Sequence, residues 1–236
     1  MKKTIAILMT VLIAASILHT VPAQAASNST EYTAVAQMII KFNCGCSRTG
    51  TGTMIAKNGM ITCAHNLCCP DHNKKLKSCD FYFGRNNKKY HYKYNGKFSY
   101  TYYGDFSGGY KSENDIGYIV FPKDIGTNTG WYASSVESDD DLKWEFCHML
   151  GYQGNSRVDD WNQVSIVNDR EIKWPASASY KKGGQGGPVY YASSDYEFPV
   201  LVAVYSCYTT NDGYARRFTQ RVYEDMVKDG VKFKKK

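Results

Sequence analysis

The stretch Gly183-Gly184-Gln185-Gly186-Gly187-Pro188 governs the reading of this chain. Its four glycines let the backbone fold tightly enough for neighbouring amide N–H groups to converge on one point. Convergent N–H groups of this kind stabilise an oxyanion as it develops. Gln185, in the middle of the turn, has no nucleophilic or ionisable atom, because its amide only donates and accepts hydrogen bonds. The stretch gathers backbone donors around a side chain that offers no nucleophile.

Two upstream segments carry the groups such a turn would work with. A hydrolytic triad needs a histidine to move the proton and a carboxylate to hold its tautomer. Gly50-Thr51-Gly52-Thr53-Met54-Ile55 leads into Met60-Ile61-Thr62-Cys63-Ala64-His65, and Asn114-Asp115 precedes the apolar run Ile116–Val120. Taken singly, a histidine is most often structural, and an aspartate before a strand is often only a turn residue. Here they occur in the order His65, Asp115, Gln185.

Together the three segments resemble the trypsin/chymotrypsin-like serine protease superfamily, and their compact spacing is closest to bacterial glutamyl endopeptidase-like members. The first is similar to that family's Gly-x-Gly strand and Thr-Ala-Ala-His turn, with Cys63 for one alanine. The second is similar to its Asn-Asp-Ile-Ala-Leu-Ile strand. The third is similar to Gly-Asp-Ser-Gly-Gly-Pro with the serine replaced by Gln185. The resemblance implies that His65 is the general base, that Asp115 orients it, and that Gln185 occupies the nucleophile position without being competent. It implies an oxyanion hole from the N–H groups of Gly183 and Gln185. It also implies that Val202–Cys207, with Ser206 and Cys207, lines the primary pocket, and that Phe146–Tyr152 opens the second barrel. No other register restores the serine. Gly154-Asn155-Ser156 lies too early and lacks Gly-Gly-Pro, while Ser177, Ser179, Ser193 and Ser194 lack the turn. Gly184 replaces the aspartate that would pair with a freed amino terminus, and no Ile-Val-Gly-Gly site follows the leader, so the usual zymogen switch is not expected.

The amino terminus has its own chemistry. Lys2 and Lys3, the apolar run Ile5–Leu18 and Ala23-Gln24-Ala25 form a secretory signal peptide, with cleavage expected near Ala25. The run is too short for a membrane span, which takes roughly 20 apolar residues. Removing residues 1–25 takes away two lysines and no acid from a net charge of +7, leaving a mild positive excess. That excess makes no case for nucleic-acid binding. The Lys232–Lys236 end reads as a solvated tail, and Asn28-Ser29-Thr30 fits a glycosylation acceptor.

All eight cysteines follow the leader. An even count in an exported chain points to disulfides, with the pairing left open. A competing reading takes Cys63, His65, Cys68, Cys69 and His72 as soft metal ligands. Their spacing fits no standard zinc pattern and export is oxidising, so disulfides bracing the loops around His65 are expected instead, with no metal and no cofactor.

Short apolar or alternating runs between Gly, Asn, Asp and Ser clusters indicate an all-β chain. They include Thr53–Ile55, Ile116–Phe121, Trp144–Gly151, Gln163–Val167, Pro188–Tyr191 and Val200–Tyr205. One helix is expected near the end, capped by Thr219, with Val222, Tyr223, Met226 and Val227 as its apolar stripe and Gly230 as its stop. Tyr90–Tyr94 and Phe98–Tyr102 flank Asn95-Gly96, which predicts a hairpin that either projects as a contact surface or simply covers a barrel.

The expected fold is all-β: two antiparallel six-stranded, chymotrypsin-like β-barrels with a C-terminal helix. Residues 1–25 form the signal peptide, 26–128 the first barrel and 129–236 the second barrel with the helix. The expected function is that of a secreted, inactive protease homologue binding a protein or peptide in the cleft between barrels. The alternatives are an active serine-type endopeptidase and a metal-binding Cys-rich module.

Overall fold

The computed structural model describes residues 30–104, 112–175, 184–192 and 199–233. The signal peptide, Gly183, Ser177, Ser179, Ser193 and Ser194 lie outside the described residues. After a one-turn helix α1 (Thr30–Thr33), the chain builds a first sheet from eight strands. These are β1 (Val35–Phe42), β2 (Ser47–Met54), β3 (Gly59–Thr62), β4 (Cys68–Cys69), β5 (Lys74–Phe83), β6 (Tyr92–Tyr94), β7 (Ser99–Tyr102) and β8 (Gly117–Val120). Their order is β4-β5-β1-β2-β3-β8-β7, with β6 added to β5.

Two short helices, α2 (Gly126–Thr129) and α3 (Asp139–Leu142), lie between β8 and the long strands of the second sheet. That sheet holds β9 (Ala133–Ser134), β10 (Phe146–Gln153), β11 (Ser156–Gln163), β12 (Ser165–Asn168), β13 (Glu171–Pro175), β14 (Pro188–Tyr191), β15 (Val200–Tyr208) and β16 (Asp212–Arg217). Its order is β11-β10-β14-β15-β16-β13-β12, with β9 on β15. The β9–β15 pair runs parallel; the other pairs between these strands are antiparallel. Each sheet exceeds the expected six strands, in part because two- and three-residue segments such as β4, β6 and β9 join the ladders. Gly154-Asn155 is the hairpin turn between β10 and β11, where Gln153 pairs with Ser156.

The cores follow the apolar runs. Met38, Ile40, Phe81, Phe83, Tyr118 and Phe121 are buried in the first sheet, and Met149, Ile172, Trp174, Val189 and Val202 in the second. Burying each such side chain contributes about 1.5–3 kcal/mol. The alternating tyrosines do not form the expected hairpin. β6 pairs with β5 and β7 with β8, so Asn95-Gly96 joins two strands that do not pair with each other. Packing decides this: Tyr94 and Phe98 turn inward onto Phe81 and Phe121, with ring centroids 5.2–6.3 Å apart. These strands cover a core and do not project.

The two ends of the chain cross over. Helix α4 (Gln220–Lys228) follows the second sheet but packs Val222 and Met226 into the core of the first. Asn58 holds the segment after it, donating to Gly230 O at 3.0 Å and accepting from Lys232 N at 2.7 Å. Thr219 stands at the N-cap but makes no side-chain capping bond, and Tyr223 and Val227 lie outside the buried stripe. Conversely, α1 reaches the second sheet. Tyr190 Oη donates to the Glu31 carboxylate, and Arg157 lies 3.5 Å over the Tyr32 ring. Among the described residues no helix is long and apolar enough to cross a membrane.

Candidate functional site

His65 sits in a single 3₁₀ turn, Ala64–Asn66, directly after β3. Asp115 sits just before β8, the strand paired with β3. Adjacent strands therefore deliver the two side chains to one place. His65 Nδ1 lies 2.8 Å from Asp115 Oδ2, and the backbone N–H of His65 donates to Asp115 Oδ1 at 2.9 Å. Asp115 is wholly buried. Burial pushes its pKa up, but the His65 charge and the hydrogen bonds from His65 and Ser206 outweigh that and hold the carboxyl below its ordinary value. An ionised Asp115 fixes the proton on Nδ1, which leaves Nε2 as the basic nitrogen of the ring.

A third donor reaches this carboxylate: Ser206 Oγ donates to Asp115 Oδ2 at 2.8 Å. The pairing of β15 with β16 slips between Tyr205 and Cys207, so Ser206 occupies a β-bulge. A bulge re-aims a side chain, and here it turns Ser206 inward to the dyad while Cys207 stays half-buried. The resemblance associates Ser206 with a pocket wall; the register slip reveals its contact with Asp115.

The glycine turn joins the same site from the second sheet. Gly187 N donates to Gly184 O at 2.9 Å, closing a tight turn, and Gly186 N donates to Tyr205 O at 2.8 Å. Gly186 has φ +92°, and a Cβ there would lie 2.0 Å from Thr51 O, so no side chain fits. The Gln185 carbonyl accepts from Thr51 N at 2.9 Å and from Asn66 Nδ2 at 3.2 Å. Residue 185 is thus tied to the residue that follows His65. The Gln185 N–H has no acceptor among the described residues. Gly183, the other expected oxyanion donor, lies outside them.

Cys63 stands two residues before His65 and offers no reactive thiol. Its thiol is fully buried and donates to Tyr205 O at 3.0 Å. Burial first, then the Asp115 charge, pushes its pKa far up, so it stays a neutral thiol. None of the eight cysteines is in a disulfide here. The residues considered for a metal separate: Cys63 and His65 face Asp115, and Cys68 donates to Asn73 Oδ1 at 3.4 Å. Cys69 and His72 instead meet Cys44 and Cys46.

Comparison with solved structures decides the fold. A thermostable serine protease, AL20, from an extremophilic microorganism superposes with TM-score 0.67 at 11% identity, over 84% of this chain and 96% of that one. The chain has a chymotrypsin-like fold. A Glu endopeptidase superposes with TM-score 0.65 at 18% identity, over 85% of this chain and 93% of that one. The protease Anisep from Arthrobacter nicotinovorans gives TM-score 0.68 at 14% identity, over 84% and 96%. Neither a protein-family model nor a curated protein sequence matches the chain.

Proposed function

We propose that the chain is a secreted serine-protease homologue that does not cleave peptide bonds and acts by binding a protein or peptide where the two sheets meet. The observation that carries this reading is the juxtaposition of a well-formed His65–Asp115–Ser206 network with a tight turn centred on Gln185. The base and its support are built, and the atom they would activate is absent. Losing the serine of a triad lowers turnover by about a million-fold, roughly 8 kcal/mol. In this reading the N–H groups of Gly183 and Gln185 receive a peptide carbonyl, and the strand bearing Ser206 and Cys207 flanks the primary pocket. In this reading residues 26–128 belong to the first barrel and 129–236 to the second barrel with the C-terminal helix. Secretion rests on Lys2, Lys3, the apolar run and the Ala23-Gln24-Ala25 cleavage site.

The well-formed dyad supports a second reading, an active secreted serine-type endopeptidase. One experiment separates the two. The purified protein and a Gln185→Ser variant are assayed on a diverse peptide library and with a serine-directed fluorophosphonate. The expected result is no cleavage and no label for the native protein, with both gained in the variant. Cleavage by the native protein that disappears in His65→Ala would overturn the inactive reading.

A further inference from the structure

We propose that Cys44, Cys46, Cys69 and His72 form a structural Zn²⁺ site. Their ligand atoms all lie within 4.8 Å of one another, with His72 Nδ1 3.4 Å from Cys46 Sγ and 3.6 Å from Cys69 Sγ. A tetrahedral zinc with bonds of about 2.3 Å to sulfur and about 2.0–2.1 Å to nitrogen sets neighbouring ligand atoms roughly 3.5–3.8 Å apart. Other arrangements within the cluster leave a group unserved. A single lone pair cannot serve two S–H donors well, and one disulfide among three cysteines leaves the third unpaired.

The backbone explains the convergence. Cys44 and Cys46 flank Gly45 in the β1–β2 turn, where Gly45 N donates to Phe42 O at 3.0 Å and Phe42 N donates to Cys46 O at 2.9 Å. Gly45 has φ +89°, a conformation that a side chain resists, and it turns both cysteines to one side. Cys69 pairs with Lys74 across the β4–β5 loop, which places His72 over it. Asn43 N donates to Lys75 O at 3.1 Å, joining the two turns. Arg48 pairs with Asp71 at 3.5 Å across the same gap. Cys-x-Cys and Cys-x-x-His are thus two short knuckles facing each other. Cys69 is buried and His72 exposed, so the site is anchored on one side and open to ion entry on the other. Three thiolates and one Zn²⁺ carry a net negative charge, and Arg48, Lys74 and Lys75 lie on the surrounding strands to balance it.

The site differs from the His65–Asp115 site but is coupled to it by the chain, since β4 begins two residues after the 3₁₀ turn that ends at Asn66. Binding releases the three thiol protons to solvent and locks the β1–β2 turn onto the segment that follows His65.

The test is elemental analysis of the chain purified without chelator, followed by Co²⁺ substitution. The expected result is stoichiometric zinc, and for Co²⁺ an intense thiolate charge-transfer band with tetrahedral d–d absorption. Cys69→Ser and His72→Ala should lose the metal, and Cys207→Ser should keep it. Metal at background level, a Co²⁺ spectrum without thiolate charge transfer, or peptide mapping that finds Cys44, Cys46 or Cys69 in a disulfide would each overturn the site. The wild-type cobalt spectrum decides the matter even if a variant fails to fold.

Discussion

Asp115, wholly buried, collects three donors: the His65 backbone, the His65 ring and the Ser206 hydroxyl. Replacing it by asparagine turns an amide toward those donors, and each donor left unsatisfied costs about 1–3 kcal/mol. Asp115→Asn should therefore lower stability in urea by about that amount at neutral pH. The native pKa lies below the ordinary aspartate value, so the carboxylate's stabilisation is complete above about pH 4 and is lost as pH falls through the native value. The stability gap between wild type and Asp115→Asn should narrow on acidification below about pH 4. A gap constant from neutral pH to pH 3 would refute the depressed pKa. Gly186 makes a second residue-scale prediction. A Cβ there meets Thr51 O at 2.0 Å on a left-handed backbone, so Gly186→Ala should cost more than about 3 kcal/mol. A melting curve within a degree or two of wild type would refute that.

Helix α4 shows how far an element can be read ahead of its packing. Its start at Thr219, its stop at Gly230 and the burial of Val222 and Met226 follow from periodicity, since positions four apart share a face. What it packs against does not, because nothing local says that this face meets the first sheet and not the second. Met226→Ala should cost about 2–5 kcal/mol in chemical denaturation, as a buried methionine that leaves a cavity, whereas exposed Val227→Ala should change stability by less than about 0.5 kcal/mol. Equal effects would mean the helix turns another face inward. The same limit governs the rest of the site. The tight turn was legible because Gly186, at φ +92° with no room for a Cβ, must be glycine, and the meeting of His65 with Asp115 because their segments resemble a known pattern. Ser206 was not, because a register slip of one residue decides where it points. The Asn95-Gly96 turn misled, because its flanking aromatics find more partners in the core than across a hairpin. Cys44 and Cys46 join Cys69 and His72 only after β1, β2, β4 and β5 have assembled, a non-local event that spacing does not record.

Across the whole molecule, each half holds a piece of the other. Glu31 and Tyr32 contact Tyr132, Tyr190 and Arg157, while Val222, Met226 and Val231 lie in the core beside β1–β8. A chain divided between Pro122 and Lys123 should therefore yield two co-expressed fragments that purify together through a tag on either one. Fragments that elute apart would show that the crossed ends contribute little binding. The same arrangement sets a schedule for the growing polypeptide. The first sheet is synthesised first, yet the side chains that seal its base emerge only after every strand of the second sheet. Until they do, the early half must wait, open along the strip that α4 will cover, and its completion is tied to that of the second sheet.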